Sequence, residues 1–408
     1  MKRPDRAPGV VILALCVVCV AFLVPGASGK GSASFGLSNS SDRVQLGPLR
    51  VPASSTLWVL AAIMAVVGFW LVRRKSERRS TVTLGLGLGV FVVAGIVAAT
   101  AGKEFSLVSM LVATVASATP IALGALAGIL CERSGVVNIG IEGMMLGGAF
   151  SGAFFGSQFG GWIGLLAAVV TGGLLALLLA VLAVKYRVEQ VIIGVVINIL
   201  VLGLTSFLTS QVLVKKPHLN DAPIFKAIKL PLLGDIPVIG QAFFNQTVIV
   251  YGTYALVAIL TFTLFRTSWG LRTRSVGESP KAADTLGINV ARKRYEAVVL
   301  GGLVGGFGGA WFTLGTVGRF DEGMTAGRGF IGLAAMIFGA WSPVGAFSAA
   351  LVFGFFYSLQ QKLAVMGTSV PTEFLAMAPY LVTIIVVAGL VGAVRPPAAS
   401  GQPYDKEH

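Results

Sequence analysis

The longest uncharged stretch of this chain runs from Met144 to Val184. A membrane-spanning helix needs about 20 apolar residues, so this stretch is too long for a single crossing. Residues 156–161, Gly-Ser-Gln-Phe-Gly-Gly, lie inside it and are rich in residues that interrupt helices. The pattern therefore predicts two membrane helices joined as a hairpin.

Other apolar runs recur along the whole sequence. Hydrophobic residues make up 55% of the 408 residues and charged residues 12%, whereas a typical soluble protein is about 25% charged. We therefore predict an all-α polytopic membrane protein with about 10–12 transmembrane segments, including interrupted helices. The run at 330–340 is too short to cross a membrane and predicts a half-helix or re-entrant segment. The remaining predicted runs are 10–24, 57–72, 81–101, 105–131, 191–213, 248–265, 297–314, 344–359 and 374–394.

The formal net charge of +14 is explained by membrane topology. Basic residues concentrate in the cytoplasmic loops of membrane proteins, and the densest basic cluster lies between Arg73 and Arg79. Most Lys and Arg residues fall on the inner side if the first run begins there, which predicts that both termini are cytoplasmic. No basic stretch is interleaved with aromatic residues, as a base-stacking surface requires, so we expect no nucleic acid partner.

The first apolar run, 10–24, follows a basic start and has the form of a signal peptide. It equally fits a first transmembrane helix that is retained. A polar, Gly/Ser-rich segment follows from Ser28 to Ser55 and is expected to be an outer loop. Residues 1–104 therefore form an N-terminal extension with about three membrane segments.

Residues that carry chemistry are few. The two histidines are His218 and His408, and the three cysteines, Cys16, Cys19 and Cys131, have no metal-binding spacing. No phosphate-binding loop of the Gly-x-x-x-x-Gly-Lys-Ser/Thr type is present. We therefore expect no catalytic residues, no metal site and no cofactor bound by this chain, and any ATP must be hydrolysed by another chain.

Three polar residues lie at membrane depth: Asn138, Glu142 and Asn198. A charged side chain at the bilayer centre costs about 2.5–3.5 kcal/mol on insertion scales, so such groups usually serve a pathway or a partner. Glycines surround the first two, which predicts a broken or short helix bordering a translocation path. Two structural alternatives remain open: Glu142 pairs with Arg133, and Asn198 makes interhelical hydrogen bonds.

The charged loop at 266–294 contains a well-specified short helix. Ser279 suits the N-cap, Pro280 suits the first helical position, and Gly287 suits the left-handed residue that ends a helix. So short a helix is unstable alone, so it packs either on its own membrane bundle or on another protein. The residues predicted to share one face are Ala282, Ala283 and Leu286.

Several strings resemble one family: the permease subunits of bacterial ABC importers for nucleosides and simple sugars, the branched-chain amino acid/ribose-type permeases. The resemblance runs from about Phe105 to Val394, and the first hundred residues are not well covered. The strings that carry it are Glu-Arg-Ser-Gly-Val-Val-Asn-Ile-Gly-Ile-Glu-Gly-Met-Met-Leu at 132–146, Tyr-Arg-Val-Glu-Gln-Val-Ile at 186–192, Leu-Pro-Leu-Leu-Gly-Asp-Ile-Pro-Val-Ile-Gly at 230–240, Gly-Glu-Ser-Pro-Lys-Ala-Ala-Asp-Thr-Leu-Gly-Ile-Asn-Val at 277–290 and Thr-Ala-Gly-Arg-Gly-Phe-Ile at 325–331.

This resemblance implies a type II ABC-importer-like permease. Residues 105–395 would be the permease core, 266–294 its cytoplasmic coupling loop, and 396–408 a cytoplasmic tail. The implied partners are a cytoplasmic ABC ATPase that uses the ATP, a second homologous permease subunit, an extracytoplasmic substrate-binding protein and the lipid bilayer of a bacterial cell membrane. The residues implied to couple to the ATPase are Glu278, Ser279, Pro280, Ala282, Ala283, Asp284, Leu286 and Gly287.

The function expected from these features is a membrane-spanning permease subunit that forms part of the path for nucleosides. Alternatives are an ABC permease for ribose-like sugars or another small solute, and an ion-coupled secondary transporter that works alone. A membrane-embedded enzyme is disfavoured because paired catalytic groups are missing. Co-purification of an ATPase would separate the ABC permeases from the other classes.

Overall fold

The computed structural model describes residues 7–38, 45–73, 80–367, 377 and 395–405. The chain divides into two compact units. The first comprises Met1–Val112, Leu230–Phe244 and Phe356–Ala393, and the second comprises Ala113–Lys229, Asn245–Phe355 and Val394–His408.

The described residues are mainly α-helical, with four short π-helical extensions. The π-helical turns are Cys19–Leu23, Val181–Lys185, Thr209–Leu213 and Thr313–Val317. The strands are β1 (Ser32–Gly36), β2 (Leu49–Pro52), β3 (Glu104–Ser106), β4 (Ile228–Lys229) and β5 (Asn245–Gln246). In chain order the α-helices are α1 (Ala7–Val18), α2 (Val24–Ala27), α3 (Ala53–Arg73), α4 (Ser80–Ala99), α5 (Leu107–Glu132), α6 (Ile141–Phe159), α7 (Gly161–Ala180), α8 (Gln190–Leu208), α9 (Ile239–Phe244), α10 (Val248–Arg266), α11 (Ser268–Glu278), α12 (Pro280–Thr285), α13 (Val290–Phe312), α14 (Arg328–Phe338) and α15 (Pro343–Val365).

Eight helical segments in the described part of the chain are long and apolar enough to cross a membrane. Shorter apolar helices lie at Gly85–Ala99 and Arg328–Phe338. These features confirm the predicted all-α polytopic membrane fold, while the predicted run at 374–394 lies outside the described residues apart from Met377. The eight segments are Pro8–Ala27, Ala53–Arg73, Leu107–Glu132, Gly161–Lys185, Gln190–Leu213, Val248–Arg266, Val290–Val317 and Pro343–Val365.

The long uncharged stretch is the predicted helical hairpin. α6 ends at Phe159 and α7 begins at Gly161. The residue between them, Gly160, has φ of 90°, a conformation that suits glycine. The two helices also approach closely, because a Cβ atom on Gly164 would lie 2.5 Å from the carbonyl oxygen of Gly152. Glycines on both sides of the break therefore allow the hairpin to pack.

α13 is a central helix of the second unit. Its most apolar stretch is 78% buried, against 28% for the Gln190–Leu213 segment. A Cβ atom on Gly309 would lie 2.1 Å from the carbonyl oxygen of Met145 in α6. The glycine-rich sequence of α13 thus serves close helix packing.

α14 is the predicted half-helix. It contains 11 residues, which at about 1.5 Å per residue spans roughly half of a hydrocarbon core of about 30 Å. Ala340 and Trp341 follow it with φ of 53° and 52°, and α15 then begins at Pro343. The chain therefore turns sharply between the half-helix and a full-length helix.

The first unit contains a small sheet that the sequence did not predict. β1 pairs antiparallel with β2 and parallel with β3, so strands lie within the segment expected to be an outer loop. α1, α3 and α4 share a hydrophobic cluster that includes Ile12, Leu57 and Met64. Period-2 alternation is weak in Ser32–Gly36, Ser-Ala-Ser-Phe-Gly, which explains why the strand was missed.

Candidate functional site: a helix break and the adjoining loop

The chain is not helical between α5 and α6. Residues 133–140 form a turn followed by an extended segment, and Gly135 in the turn has φ of 86°. The prediction of a broken helix at Asn138–Glu142 is therefore confirmed. A bilayer supplies no hydrogen bonds to open backbone, so these residues need partners inside the protein.

The segment after the break packs beside α5 and does not simply continue beyond its C-terminal end. Gly128 of α5 faces Ile141 at the start of α6, with 3.4 Å from a Gly128 Cβ position to Cδ1 of Ile141. Gly128 precedes the last residue of α5, Glu132, by about one helical turn, so the first side chain of α6 packs against the last turns of α5. Glu142 thus lies within the helix bundle.

Asn198 of α8 caps the N-terminus of α6. Its Oδ1 accepts a hydrogen bond of 2.7 Å from the amide of Gly143. Its Nδ2 donates one of 3.0 Å to the carbonyl of Ile139 in the extended segment. Asn198 therefore makes interhelical hydrogen bonds, the structural alternative that the sequence left open.

Glu142 caps the N-terminus of α14. Its Oε1 accepts hydrogen bonds from the hydroxyl of Thr325 at 2.6 Å and the amide of Gly327 at 2.8 Å. Its Oε2 accepts one of 2.7 Å from the amide of Gly329. The first amides of a helix lack intrahelical partners and carry partial positive charge, so a carboxylate satisfies both needs.

Arg133 is engaged elsewhere and does not form the proposed pair with Glu142. Its Nε donates to the carbonyl of Trp341 at 3.0 Å and its Nη2 to that of Ala340 at 3.4 Å. The guanidinium thereby satisfies the carbonyls of the turn after α14. Both ends of this half-helix are thus held by side chains from the region around the break.

Asn138 is fully buried, with 0% of its surface exposed. Its Nδ2 contacts two sulfur atoms, Sγ of Cys131 at 3.4 Å and Sδ of Met144 at 3.5 Å. Its Oδ1 has no hydrogen-bond partner among the described residues. A buried polar atom without a partner is costly, so Asn138 differs from the other two predicted residues.

The short helix in the 266–294 loop has the predicted ends. α12 follows Ser279 at the N-cap position and carries Pro280 at its start, although the Ser279 side chain makes no capping hydrogen bond. Gly287 has φ of 78° beyond its end. A second helix, α11, precedes it, and the sequence missed this helix although its Thr267 cap, which accepts from the amide of Gly270, was a readable signal.

The residues predicted to share one face of α12 differ in burial. Ala283 is 2% exposed and packs with Val276 and Val290 of its own chain. Leu286 is 80% exposed, and Ala282 is also exposed. A helix this short lies against its own bundle on one side, so only part of the predicted face is free for another protein.

The end of α11 contacts the helix break directly. A Cβ atom on Gly277 would lie 2.3 Å from the carbonyl oxygen of Arg133. Burial lowers the pKa of the Arg133 guanidinium, and the neighbouring Arg274 lowers it further while Glu278 raises it. Backbone packing and charge therefore connect the 266–294 loop with the break.

Sequence reasoning did not find all residues of this region. The family resemblance alone pointed to Thr325, Gly327 and Gly329. A pair of glycines before an apolar run nevertheless indicates a helix start that another part of the chain can approach closely. Glu132 was not singled out, yet its Oε2 accepts a hydrogen bond of 2.6 Å from Nε1 of Trp341. These contacts join parts of the chain that are far apart in sequence.

Comparison with known proteins gives consistent results. The family model described as branched-chain amino acid transport system / permease component matches residues 110–393. The chain is 44% identical over 311 residues to the guanosine ABC transporter permease protein NupQ of Bacillus subtilis, across 72% of this chain and 95% of that protein. It is 42% identical over 302 residues to the nucleoside ABC transporter permease protein NupC of Lactococcus lactis subsp. cremoris, across 71% and 94%.

A more distant relative is the putative glucose ABC transporter permease protein TsgC13 of Haloferax volcanii, 33% identical over 326 residues, across 73% of this chain and 98% of that protein. No solved structure matches the chain. The matched range contains the helix break, the half-helix and the 266–294 loop. This chain is a multi-pass membrane protein that belongs to the family of branched-chain amino acid transport system permease components.

Proposed function

We propose that this chain is the membrane-spanning permease subunit of an ATP-driven importer and forms part of the translocation path for nucleosides. ATP is hydrolysed by a separate cytoplasmic ATPase, and an extracytoplasmic binding protein delivers the substrate. The chain lies in a bacterial cell membrane with both termini in the cytoplasm, as the distribution of basic residues indicates.

The contact between Gly277 and Arg133 carries the proposal. In this assignment α11 and α12 form the coupling loop, and the exposed Leu286 contacts the ATPase. Because Gly277 packs on the backbone of the break, a displacement of the loop moves residues 133–135. The break in turn leads into α6, whose first turn carries Glu142.

The proposed path runs along the break. Discontinuous helices near the middle of the membrane form the substrate sites of many transporters. Here the start of α6, the start of α14 and the buried amide of Asn138 lie together, and Asn138 retains an oxygen without a partner among the described residues. We assign substrate-path roles to Asn138, Glu142 and Asn198, the last two acting through the helix ends that they hold.

Nucleosides are favoured over sugars by the relatives. The proteins named for guanosine and for nucleosides are 44% and 42% identical to this chain, and the one named for glucose is 33% identical. A proton-coupled transporter would need a carboxylate free to take up the proton. The oxygens of Glu142 already accept three hydrogen bonds, which does not support that alternative.

The assembly that we propose contains a second, similar permease, two ATPase domains and one binding protein. One permease chain supplies half of the path in this arrangement. This composition is tested by expressing a tagged copy of this chain together with its partners. The purified complex should contain one tagged permease and one different permease. An active complex with two copies of this chain and no second permease would refute the heterodimer.

Uptake measurements test the transported solute. Cells with and without this chain are given labelled guanosine, other nucleosides, ribose and glucose. We expect chain-dependent nucleoside uptake that is lost when the partner ATPase cannot hydrolyse ATP, while sugar uptake is unchanged. Uptake that persists without a functional ATPase would contradict the proposal, and uptake of sugars alone would support the alternative permease.

A further inference from the structure

The described end of the chain, residues 395–405, lies along the junction between the 266–294 loop and the helix break; we name it the C-terminal strap. The amide of Ala399 donates to the carbonyl of Gly277 at 2.9 Å, and that of Gly401 donates to the carbonyl of Gly135 at 3.1 Å. A single backbone segment therefore forms hydrogen bonds both with the end of α11 and with the turn in which the helix break begins.

Side chains extend these contacts beyond the backbone. Asp405 forms a two-pronged ion pair with Arg187 in the segment before α8, with 2.9 Å between Nη1 and Oδ2. Tyr404 packs against a small hydrophobic cluster under α12. The cluster consists of Val276, Ala283 and Val290. The strap thus touches the buried side of α12, while Leu286 at the end of the helix stays exposed.

Arg294, near the start of α13, anchors the strap from inside. It is 1% exposed, and its Nη1 donates to the carbonyl of Gln402 at 3.0 Å. Its Nε and Nη2 have no hydrogen-bond partner within the described ranges, and Nη2 lies 3.1 Å from the Cβ position of Gly135. A buried cation without hydrogen-bond acceptors is energetically costly, so the Gln402 carbonyl of the strap stabilises the Arg294 guanidinium by accepting a hydrogen bond from it.

We propose that the C-terminal strap, with Arg294 beneath it, is a positioning element that holds α11 on the break, so that ATPase-driven movement of the coupling loop reaches the translocation path. The inference rests on the proposed function. Docking of the ATPase on Leu286 does not require the strap, because Leu286 is 80% exposed whereas Tyr404 of the strap packs on the cluster of the buried Ala283. Without the strap, ATP hydrolysis continues but moves the break less effectively.

The test uses the complete complex in liposomes, with nucleoside import and ATP hydrolysis measured on the same samples. Truncation after Val394 removes the strap, and truncation after Asp405 is the control that keeps it. A matched pair of single substitutions is Gly401→Val and Ser400→Val. Gly401 has φ of 79°, which a β-branched residue does not tolerate, so only the first substitution should displace the strap.

We expect the strap variants to bind the ATPase normally but to import about 30-fold less nucleoside per ATP, the factor that loss of two hydrogen bonds of typical strength represents. Both controls should keep the normal ratio. A general folding defect lowers import and hydrolysis together and leaves their ratio unchanged. If the truncated chain does not accumulate, the Gly401→Val and Ser400→Val pair decides.

An unchanged ratio in strap variants that hydrolyse ATP at the normal rate would overturn the inference and leave the proposed function intact. Loss of ATPase binding in the strap variants, with normal binding in the controls, would also overturn it, because the strap would then form part of the docking surface. If the intact chain itself binds no ATPase or imports no nucleoside, the proposed function fails instead. The two failures are thus distinguished by the unmodified complex.

Discussion

Replacing Glu142 should loosen α14 before it affects any other helix. The carboxylate accepts three hydrogen bonds from the start of α14, and a hydrogen bond to a charged group contributes about 1.5–3 kcal/mol. Glu142→Gln keeps one oxygen but places an amide NH₂ opposite a backbone N–H, which costs about 2 kcal/mol of local stability. Glu142→Ala leaves the amides of Gly327 and Gly329 without an acceptor and costs about 4 kcal/mol.

Hydrogen exchange in the α14 peptide, 327–338, measures this effect. Since each 1.4 kcal/mol is tenfold, exchange should rise roughly 30-fold in the Gln variant and several hundredfold in the Ala variant. Glu322→Ala is the matched control, because that exposed carboxylate accepts a hydrogen bond from Ser206 and lies outside the break. Transport should fall in the same order as exchange rises.

Two results would refute this reasoning. Unchanged exchange in α14 with a loss of transport would mean that Glu142 acts on the substrate and not through the helix end. Faster exchange throughout the bundle, with no preference for α14, would mean that the three hydrogen bonds are not a local cap.

Four further expectations follow from the same contacts. Leu286→Glu should abolish co-purification of the ATPase without changing thermal stability, whereas Ala283→Glu should lower thermal stability, because only Ala283 is buried. Asn198→Ala should lower stability in detergent unfolding by about 1 kcal/mol, a typical value for interhelical polar contacts in membranes. Gly277→Val should reduce import per ATP hydrolysed, because its side chain would collide with the break. A cysteine in place of Glu142 should react with a small polar reagent, and nucleoside should slow that reaction if the residue borders the path.

The sequence predicted the membrane helices well because hydropathy is a local property. The hairpin break near Gly160 was readable from glycine positions, and the half-helix α14 was readable from run length. The ends of α12 were likewise predicted, since capping depends on a few neighbouring residues. What these features share is that no distant part of the chain is needed to specify them.

The partners of the predicted site residues were not readable in this way. Glu142 binds α14, which is separated from α6 by much of the chain, and nothing in the local string indicates that contact. Helical spacing grouped Ala283 with Leu286 but gave no information on which side of α12 meets the bundle. α11 was read as loop because its sequence, Ser-Trp-Gly-Leu-Arg-Thr-Arg-Ser-Val-Gly-Glu, lacks a clear apolar stripe.

The capped helix ends also bear on which solutes suit the proposed path. An uncovered helix N-terminus attracts anions, and transporters of anionic substrates use such ends. Here Asn198 accepts a hydrogen bond from the first turn of α6, and the carboxylate of Glu142 occupies the start of α14, where it repels a phosphate or carboxylate. In the described part of this region the amide oxygen of the buried Asn138 has no hydrogen-bond partner, and such an oxygen accepts hydrogen bonds from hydroxyl and amino groups. This arrangement favours a neutral solute with such donors, as a nucleoside has, and disfavours a phosphorylated one.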